Sequence, residues 1–350
     1  MNDTVLVTGA TGFIAQHCAL QLIEAGYRVR GTARSADRGA EVAAVLEANL
    51  SAPARDRLSS DFAVVVADLT ADDGWAEAVK GCRFVLHVAS PFPRTPPRNP
   101  DDLIVPAREG VLRVLKAACE AAVERVVLTS SLAAVMYGQD HDHVFDENDW
   151  SNTDDPRIGA YEKSKTLAER AAWEFIAALG SGARTELVAI NPGLVLGPLL
   201  SNDWGTSGEL VKKILDNAYP AVPDINFTMV DVRDVAAAHL AAMTVPEAAG
   251  QRFVCAEANH SMREVAQILA DRIGPYGFRI ATRKMPDFVM RFVALFDRTA
   301  RLALNNLGVR QEIDNSRIRT VLNWTPRGAE EMVVAMAESM IDLGVVAPKP

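Results

Sequence analysis

Tyr161 and Lys165 stand four residues apart in the stretch YEKSKTLAERAAWEF (161–175). Residues so spaced share one face of a helix. Leu167, Ala168, Ala171, Ala172 and Phe175 recur at helical spacing as a buried stripe. The pattern predicts a helix from whose one side a phenol and an ammonium both start. A free tyrosine titrates near ~10 and is a poor acid–base group at neutral pH. A neighbouring cation stabilises its phenolate, and each unit of lowering is worth about 1.4 kcal/mol. A hydroxyl such as Ser131, at the end of RVVLTSS, would bind and orient the substrate oxygen. The chemistry implied is hydride transfer to or from a carbonyl carbon, with Tyr161 giving the oxygen its proton. A tyrosine and lysine on one helix are ordinarily a surface pair, and TSS is ordinarily a strand-end cap. Their position downstream of a phosphate cradle is what favours chemistry.

That cradle is VTGATGFIA, which follows the first strand pattern and opens a helix, with Gly9, Gly12 and Ala15 at GxxGxxA spacing. Gly9 permits a tight turn, Gly12 lets backbone approach a pyrophosphate, and Ala15 lets the helix pack close. The spacing departs from the strict GxGxxG fingerprint. At the second strand's end, RGTARSADR carries Gly31, Thr32 and Ala33 where an NAD site would place an acid, and then Arg34. A guanidinium there suits a 2′-phosphate, so the expected cofactor is NADP (NADPH), with Arg38 as a weaker second contact.

The elements that must hold these groups alternate. Apolar runs at 4–8, 27–32, 62–67, 84–88, 125–130 and 185–190 are separated by helical patterns. This order predicts an α/β fold, a Rossmann-type doubly wound parallel sheet covered on both faces. After Pro192 the rhythm changes. A stretch rich in Gly, Pro, Ser and Asn (197–226) precedes FTMVDVRDVAAAHLAAM (227–243), which returns to the core with a helix starting near Asp231. The expected division is a nucleotide-binding core of 1–195 plus about 226–248. About 196–225 plus 249–350 would form a smaller C-terminal substrate lobe. Pro93, Pro96, Pro97 and Pro100 mark an exposed loop after the fourth strand.

With 350 residues the chain can bury a large core. Its net charge of -9 argues against a nucleic-acid partner. No apolar run approaches the ~20 residues of a membrane span, and the amino terminus enters a strand without a secretion-signal pattern. Cys18, Cys82, Cys119 and Cys255 are scattered, so neither a disulfide framework nor a zinc site is expected, and a cytoplasmic setting fits.

Taken together, the chain resembles an extended short-chain dehydrogenase/reductase of the dihydroflavonol reductase and cinnamoyl-CoA reductase-like group, which also holds microbial NADPH-dependent aldehyde and ketone reductases. The stretches carrying the resemblance are VTGATGFIA, VRGTARS, ADL (67–69), HVASPF, LTSSLAAV, YEKSKTLAERAAWEF, INPGLVLGP and VDVRDVAAAH. They span 4 to about 240. The resemblance implies a catalytic Ser131, Tyr161 and Lys165, with Ser131 preferred to Ser130 because the family's serine precedes xxxV. It implies cofactor contacts from Gly9, Thr11, Gly12, Phe13 and Ile14, and from Asp68 and Leu69 flanking the adenine. Val88, Ala89 and Ser90 would line the cofactor path, Lys165 would also hold the nicotinamide ribose, and Pro192, Gly193 and Leu194 would meet the nicotinamide amide. In many relatives the helices near 101–121 and 160–179 form a dimer face while some relatives are monomeric, so the resemblance allows a homodimer without requiring one.

Departures narrow the substrate. Met136 replaces a substrate-contacting Asn of plant dihydroflavonol reductases, and GAYEKSK replaces the cinnamoyl-CoA reductase signature NWYCYGK. Leu132 and Ala133 occupy the Asp-Glu place of sugar-nucleotide dehydratases, and Glu109 stands where epimerases carry Asn. The expected activity is NADPH-dependent reduction of a small or medium apolar aldehyde or ketone to its alcohol, reversibly. Alternatives are a hydroxysteroid or sugar-nucleotide dehydrogenase/epimerase, and a non-catalytic NADP-sensing regulator, which would commonly lose Tyr and Lys. His141 and His143 in DHDH read as a solvated loop rather than a metal clip, and His87 as a packed core histidine. Trp150, Trp173 and Trp204 read as core or rim aromatics, with Trp204 near the substrate pocket. Residues 290–308 read as an amphipathic helix covering the substrate lobe.

Overall fold

The computed structural model describes residues 3–348 apart from 92–96, 98, 140–142, 183, 219, 294, 296–303, 305 and 306. Its strands, in chain order, begin with β1 (Thr4–Val7), β2 (Arg28–Ala33), β3 (Phe62–Val66), β4 (Phe84–His87), β5 (Arg125–Thr129) and β6 (Val144–Phe145). They continue with β7 (Glu186–Pro192), β8 (Leu194–Leu196), β9 (Asn226–Asp231), β10 (Arg252–Cys255), β11 (Ala258–Ser261) and β12 (Glu312–Ile313). Seven form one sheet in the order β10-β7-β5-β4-β1-β2-β3, every pairing parallel. The chain winds outward from β1 to β3, crosses back to β4 and winds out the other way. The strand order reverses between β1 and β4, which is where open α/β sheets bind ligands, beyond the carboxyl ends of the strands.

Both faces of the sheet are buried, as the near-continuous apolar runs require. Val5, Val7, Phe84, Leu86 and Val127 point to one side, into a core shared with the helices Phe13–Glu24 and Val232–Thr244. Leu6, Val85, Val126 and Leu128 point to the other, against the helices Asp101–Glu120 and Ala160–Ala178. The period-2 alternation thus sorts each strand's residues between two helical layers. The expected Rossmann-type sheet is present, and so is the helix carrying Tyr161.

A second core lies beyond it. β11, β9 and β8 make a small sheet, and Leu196, Val211, Met229, Leu269 and Met336 pack with the helices Gly205–Leu215, Met262–Arg272 and Ala329–Asp342. One boundary differs from the sequence reading. Arg252–Cys255, assigned to the substrate lobe, is instead the seventh strand of the large sheet, paired to β7. Its RFVC run is wholly buried, but four residues without flanking periodicity carry too little pattern to show which sheet they join. Asp231 caps the following helix by accepting from Arg233 N at 2.8 Å, as expected of that helix start. Pro93, Pro96 and most of 294–306 lie outside the described residues; within 290–308, helix is seen to Val293. Among the described residues no helix is long and apolar enough to cross a membrane.

Candidate active site

Because the strands are parallel, their carboxyl ends open on one edge, and the sequence candidates gather there. Gly9 follows β1, Arg34 follows β2, Asp68 and Leu69 follow β3, Val88–Ser90 follow β4, Ser131 follows β5, and Pro192 closes β7. The turn after β1 is held on both sides. Gly9 N donates to Thr32 Oγ1 at 2.9 Å, Ala10 N to Thr32 O at 2.8 Å, and Ala89 N to Thr8 Oγ1 at 2.9 Å. Gly9 has φ +64°, and a Cβ there would stand 2.9 Å from that of Ala89. Only glycine fits. Gly12 precedes the helix Phe13–Glu24 with no side chain capping its first turn, so those N–H groups point open at the cleft edge. Ala15 is fully buried, letting that helix lie close on the sheet. Thr11 O accepts from Gln16 Nε2 at 3.1 Å. Phe13 and Ile14 pack on the core, and Phe13 stands edge-on to His17.

These residues fit a dinucleotide's phosphates: bare backbone, an uncapped helix start and no intruding Cβ. Arg34 is exposed beyond β2, and its charge helps hold the Asp68 carboxyl below its usual range, after the hydrogen bonds from Thr70. Asp68 is therefore already engaged, accepting from Thr70 N at 2.8 Å and Thr70 Oγ1 at 2.6 Å. Leu69 packs toward Gly110. Arg38, the second candidate, is exposed and pairs with Glu41 at 2.6 Å. Gly193 lies so close to β9 that a Cβ would stand 2.2 Å from Thr228 O, and Leu194 begins β8.

On the opposite wall the helix Ala160–Ala178 presents Tyr161 and Lys165. The Ser131 and Tyr161 side chains are hydrogen-bonded. Ser131 Oγ accepts from Ala133 N at 3.1 Å, leaving its hydrogen for the phenol oxygen. Neighbouring Ser130 turns the other way and donates to Glu169 Oε2 at 2.5 Å. The two serines are thus distinguished by where they face.

One expectation is corrected. The i, i+4 spacing predicts that Lys165 makes Tyr161 more acidic. Burial instead pushes the phenol up, with the Ser131 hydrogen bond opposing and the Glu162 charge adding to the rise. The same burial pulls the Lys165 ammonium down to about 8, against the attraction of Glu169. Desolvation outweighs the pairwise charge, so both groups favour their neutral forms more than in water. A phenol held protonated at neutral pH is a proton donor in the reduction direction.

Other features were invisible in the sequence. Glu169 and Arg252, far apart in the chain, form a buried ion pair at 2.6 Å. His87 is fully buried as expected, with Nδ1 on Thr8 Oγ1 at 2.9 Å, and the charge of Lys165 bears on it. His143 is exposed and pairs with Asp149 at 2.9 Å, whereas His141 lies outside the described residues. Trp150 lies under Arg252 at 3.7 Å, Trp173 donates to Glu169 at 3.3 Å, and Trp204 borders the small core. Met136 is buried among Leu132, Val135 and Phe145.

Residues 5–256 match the NAD dependent epimerase/dehydratase family, and the chain belongs to that family. The ketoreductase azaE of Aspergillus niger is 33% identical over 361 aligned positions, covering 97% of each chain. Cinnamoyl-CoA reductase 1 of Arabidopsis thaliana is 37% identical over 279 positions, 79% of this chain and 76% of the relative. The crystal structure of yeast methylglyoxal/isovaleraldehyde reductase Gre2 complexed with NADPH matches with a TM-score of 0.79 and 29% identity, over 98% of this chain and 99% of that one.

Proposed function

We propose that the chain is an NADPH-dependent reductase of aldehyde or ketone carbonyls, with Ser131, Tyr161 and Lys165 as its catalytic residues. The single observation that carries this reading is the Ser131–Tyr161 hydrogen bond, one helical turn from Lys165, on the same sheet edge as the glycine cradle. NADPH, when bound, supplies the hydride. Gly9, Thr11, Gly12, Phe13 and Ile14 receive its phosphates, and Arg34 favours the 2′-phosphate as a planar cation. Asp68, Leu69, Val88, Ala89 and Ser90 flank its path, while Pro192 and Leu194 close the nicotinamide end.

Within this reading Ser131 donates to the substrate oxygen and orients the carbonyl. Tyr161 delivers its proton as charge develops on that oxygen, and Lys165 stabilises the phenolate left behind. The helices Gly205–Leu215, Met262–Arg272 and Ala329–Asp342 form the substrate lobe and exclude water. The relatives' names span a ketoreductase, a methylglyoxal/isovaleraldehyde reductase and a cinnamoyl-CoA reductase.

The test is loss of NADPH absorbance over a panel of aldehydes, ketones and thioesters, in wild type and Tyr161→Phe. The expected result is turnover in the wild type and a drop of about 10²–10⁴-fold in the variant, with NADPH binding retained. Undiminished turnover by Tyr161→Phe would refute the assignment. A protein that kept its cofactor through purification and consumed none would instead be an epimerase.

A further inference from the structure

One turn beyond Lys165, the same helix carries Glu169, which is 1% exposed. Its carboxylate accepts from Ser130 Oγ at 2.5 Å, Asn191 Nδ2 at 2.8 Å, Arg252 Nε at 2.6 Å and Trp173 Nε1 at 3.3 Å. The Arg252 guanidinium is satisfied in turn, donating to Glu147 O at 2.9 Å and Asp149 O at 2.7 Å and lying over Trp150. A buried ion pair is often no more stabilising than apolar packing of the same volume. Stability alone is therefore a poor reason for this one.

Its placement suggests another. Ser130 directly follows β5, Asn191 belongs to β7 and Arg252 to β10, so one carboxylate ties the helix to three neighbouring strands. Asn191 Nδ2 also donates to Ser131 O at 3.2 Å, gripping the residue bonded to Tyr161. Lys165 feels the charge of Glu169 one turn on along its own helix and bears on His87 of β4, with Tyr161 one turn before it. His87 is neutral at physiological pH, lowered by burial to about 3. The only negative charge acting on Lys165 among the described residues is thus Glu169.

We propose that Glu169 is a positioning residue of the reaction: clamped by Arg252, Ser130 and Asn191, its carboxylate anchors the Lys165 ammonium and the Ser131 backbone beside Tyr161. This rests on the carbonyl-reductase reading. Burial draws Lys165 down and Glu169 draws it up. Without the carboxylate, the lysine loses its proton nearer neutrality and can no longer stabilise the phenolate.

The test uses the full chain as Glu169→Gln. A second variant combines Glu169→Gln with Arg252→Met and so leaves no unpaired buried guanidinium. The pH dependence of Lys165 acetylation, read by mass spectrometry, reports its charge without any substrate. The midpoint is expected to fall by about one unit in both variants. kcat is expected to fall by about 10- to 100-fold, its alkaline limb moving down with the lysine, while NADPH affinity is kept. If the single variant does not fold, the double variant gives the same readouts. A folded variant with wild-type acetylation midpoint and wild-type kcat overturns the inference. A wild-type protein that reduces no carbonyl overturns the functional reading instead, and the acetylation result stands apart from it.

Discussion

The two glycines of the turn after β1 should respond to the same mutation in opposite ways. Gly9 sits at φ +64° with Ala89 pressed against it. Alanine there costs about 1–2 kcal/mol for a left-handed conformation, and its methyl must displace Ala89. Ala89 is not free to retreat, being tied to Thr8 by its N–H; overpacking of this kind adds roughly 1–3 kcal/mol. Gly9→Ala should therefore lower the denaturation midpoint by an amount equivalent to about 2–5 kcal/mol, at unchanged slope. Gly12 differs. Its φ −82° and ψ 157° suit any residue, and its added Cβ would meet only Gly9 O, at 3.4 Å. Alanine there restricts the unfolded chain and should leave the free protein unchanged or up to about 1 kcal/mol more stable.

With NADPH present the order changes. A methyl at position 12 stands where phosphate must approach the open N–H groups, so affinity should fall at least about tenfold, worth ~1.4 kcal/mol. The stabilisation conferred by NADPH shrinks by the same amount. Urea titrations of wild type, Gly9→Ala and Gly12→Ala, with and without NADPH, separate the two effects. A Gly12→Ala protein that binds NADPH like wild type would show that no phosphate lies against this turn. One as unstable as Gly9→Ala would show the turn geometry to be wrong.

Arg34→Ala should weaken NADPH binding by about 10- to 100-fold, the worth of a charge-assisted hydrogen bond of about 1.5–3 kcal/mol, and leave NADH binding unchanged. Fluorescence titration with both cofactors checks this, and equal losses for the two would dismiss the 2′-phosphate role. Stability should also fall in acid. Burial lowers His17 and His239 to about 4 and His87 to about 3. All three stay neutral when folded, whereas the unfolded chain protonates them below ~6.5. The unfolded state therefore binds more protons as pH falls through that window, removing on the order of 2 kcal/mol per histidine by about pH 5. Denaturation midpoints across this range test it, and His239→Gln, which keeps a neutral partner near Thr129, should flatten the slope.

The legible parts of this protein were local. The strand-turn-helix of VTGATGFIA, the i, i+4 placement of Tyr161 and Lys165, and the missing acid before Arg34 are each contained within a few consecutive residues. Covalent geometry fixes what such spacings can do. The alternation of strands and helices likewise dictated a parallel sheet, since parallel neighbours need long crossovers. Less legible was anything resting on partners distant in the chain. Arg252 meets Glu169 across a sequence separation of 83, and neither stretch carries a pattern naming the other. The four-residue β10 could join either sheet until its neighbours were known.

The sign of the Tyr161 shift belongs to the second group. From spacing alone the lysine's charge should dominate. Only the folded chain sets how much water is withdrawn from the phenol, and that burial raises it against the Ser131 hydrogen bond. The sequence by itself determined which groups stand at the sheet's edge and in what order. The tertiary structure alone decided which of them touch, how dry they are and therefore which proton each holds, because solvent exclusion is a property of the whole packed fold.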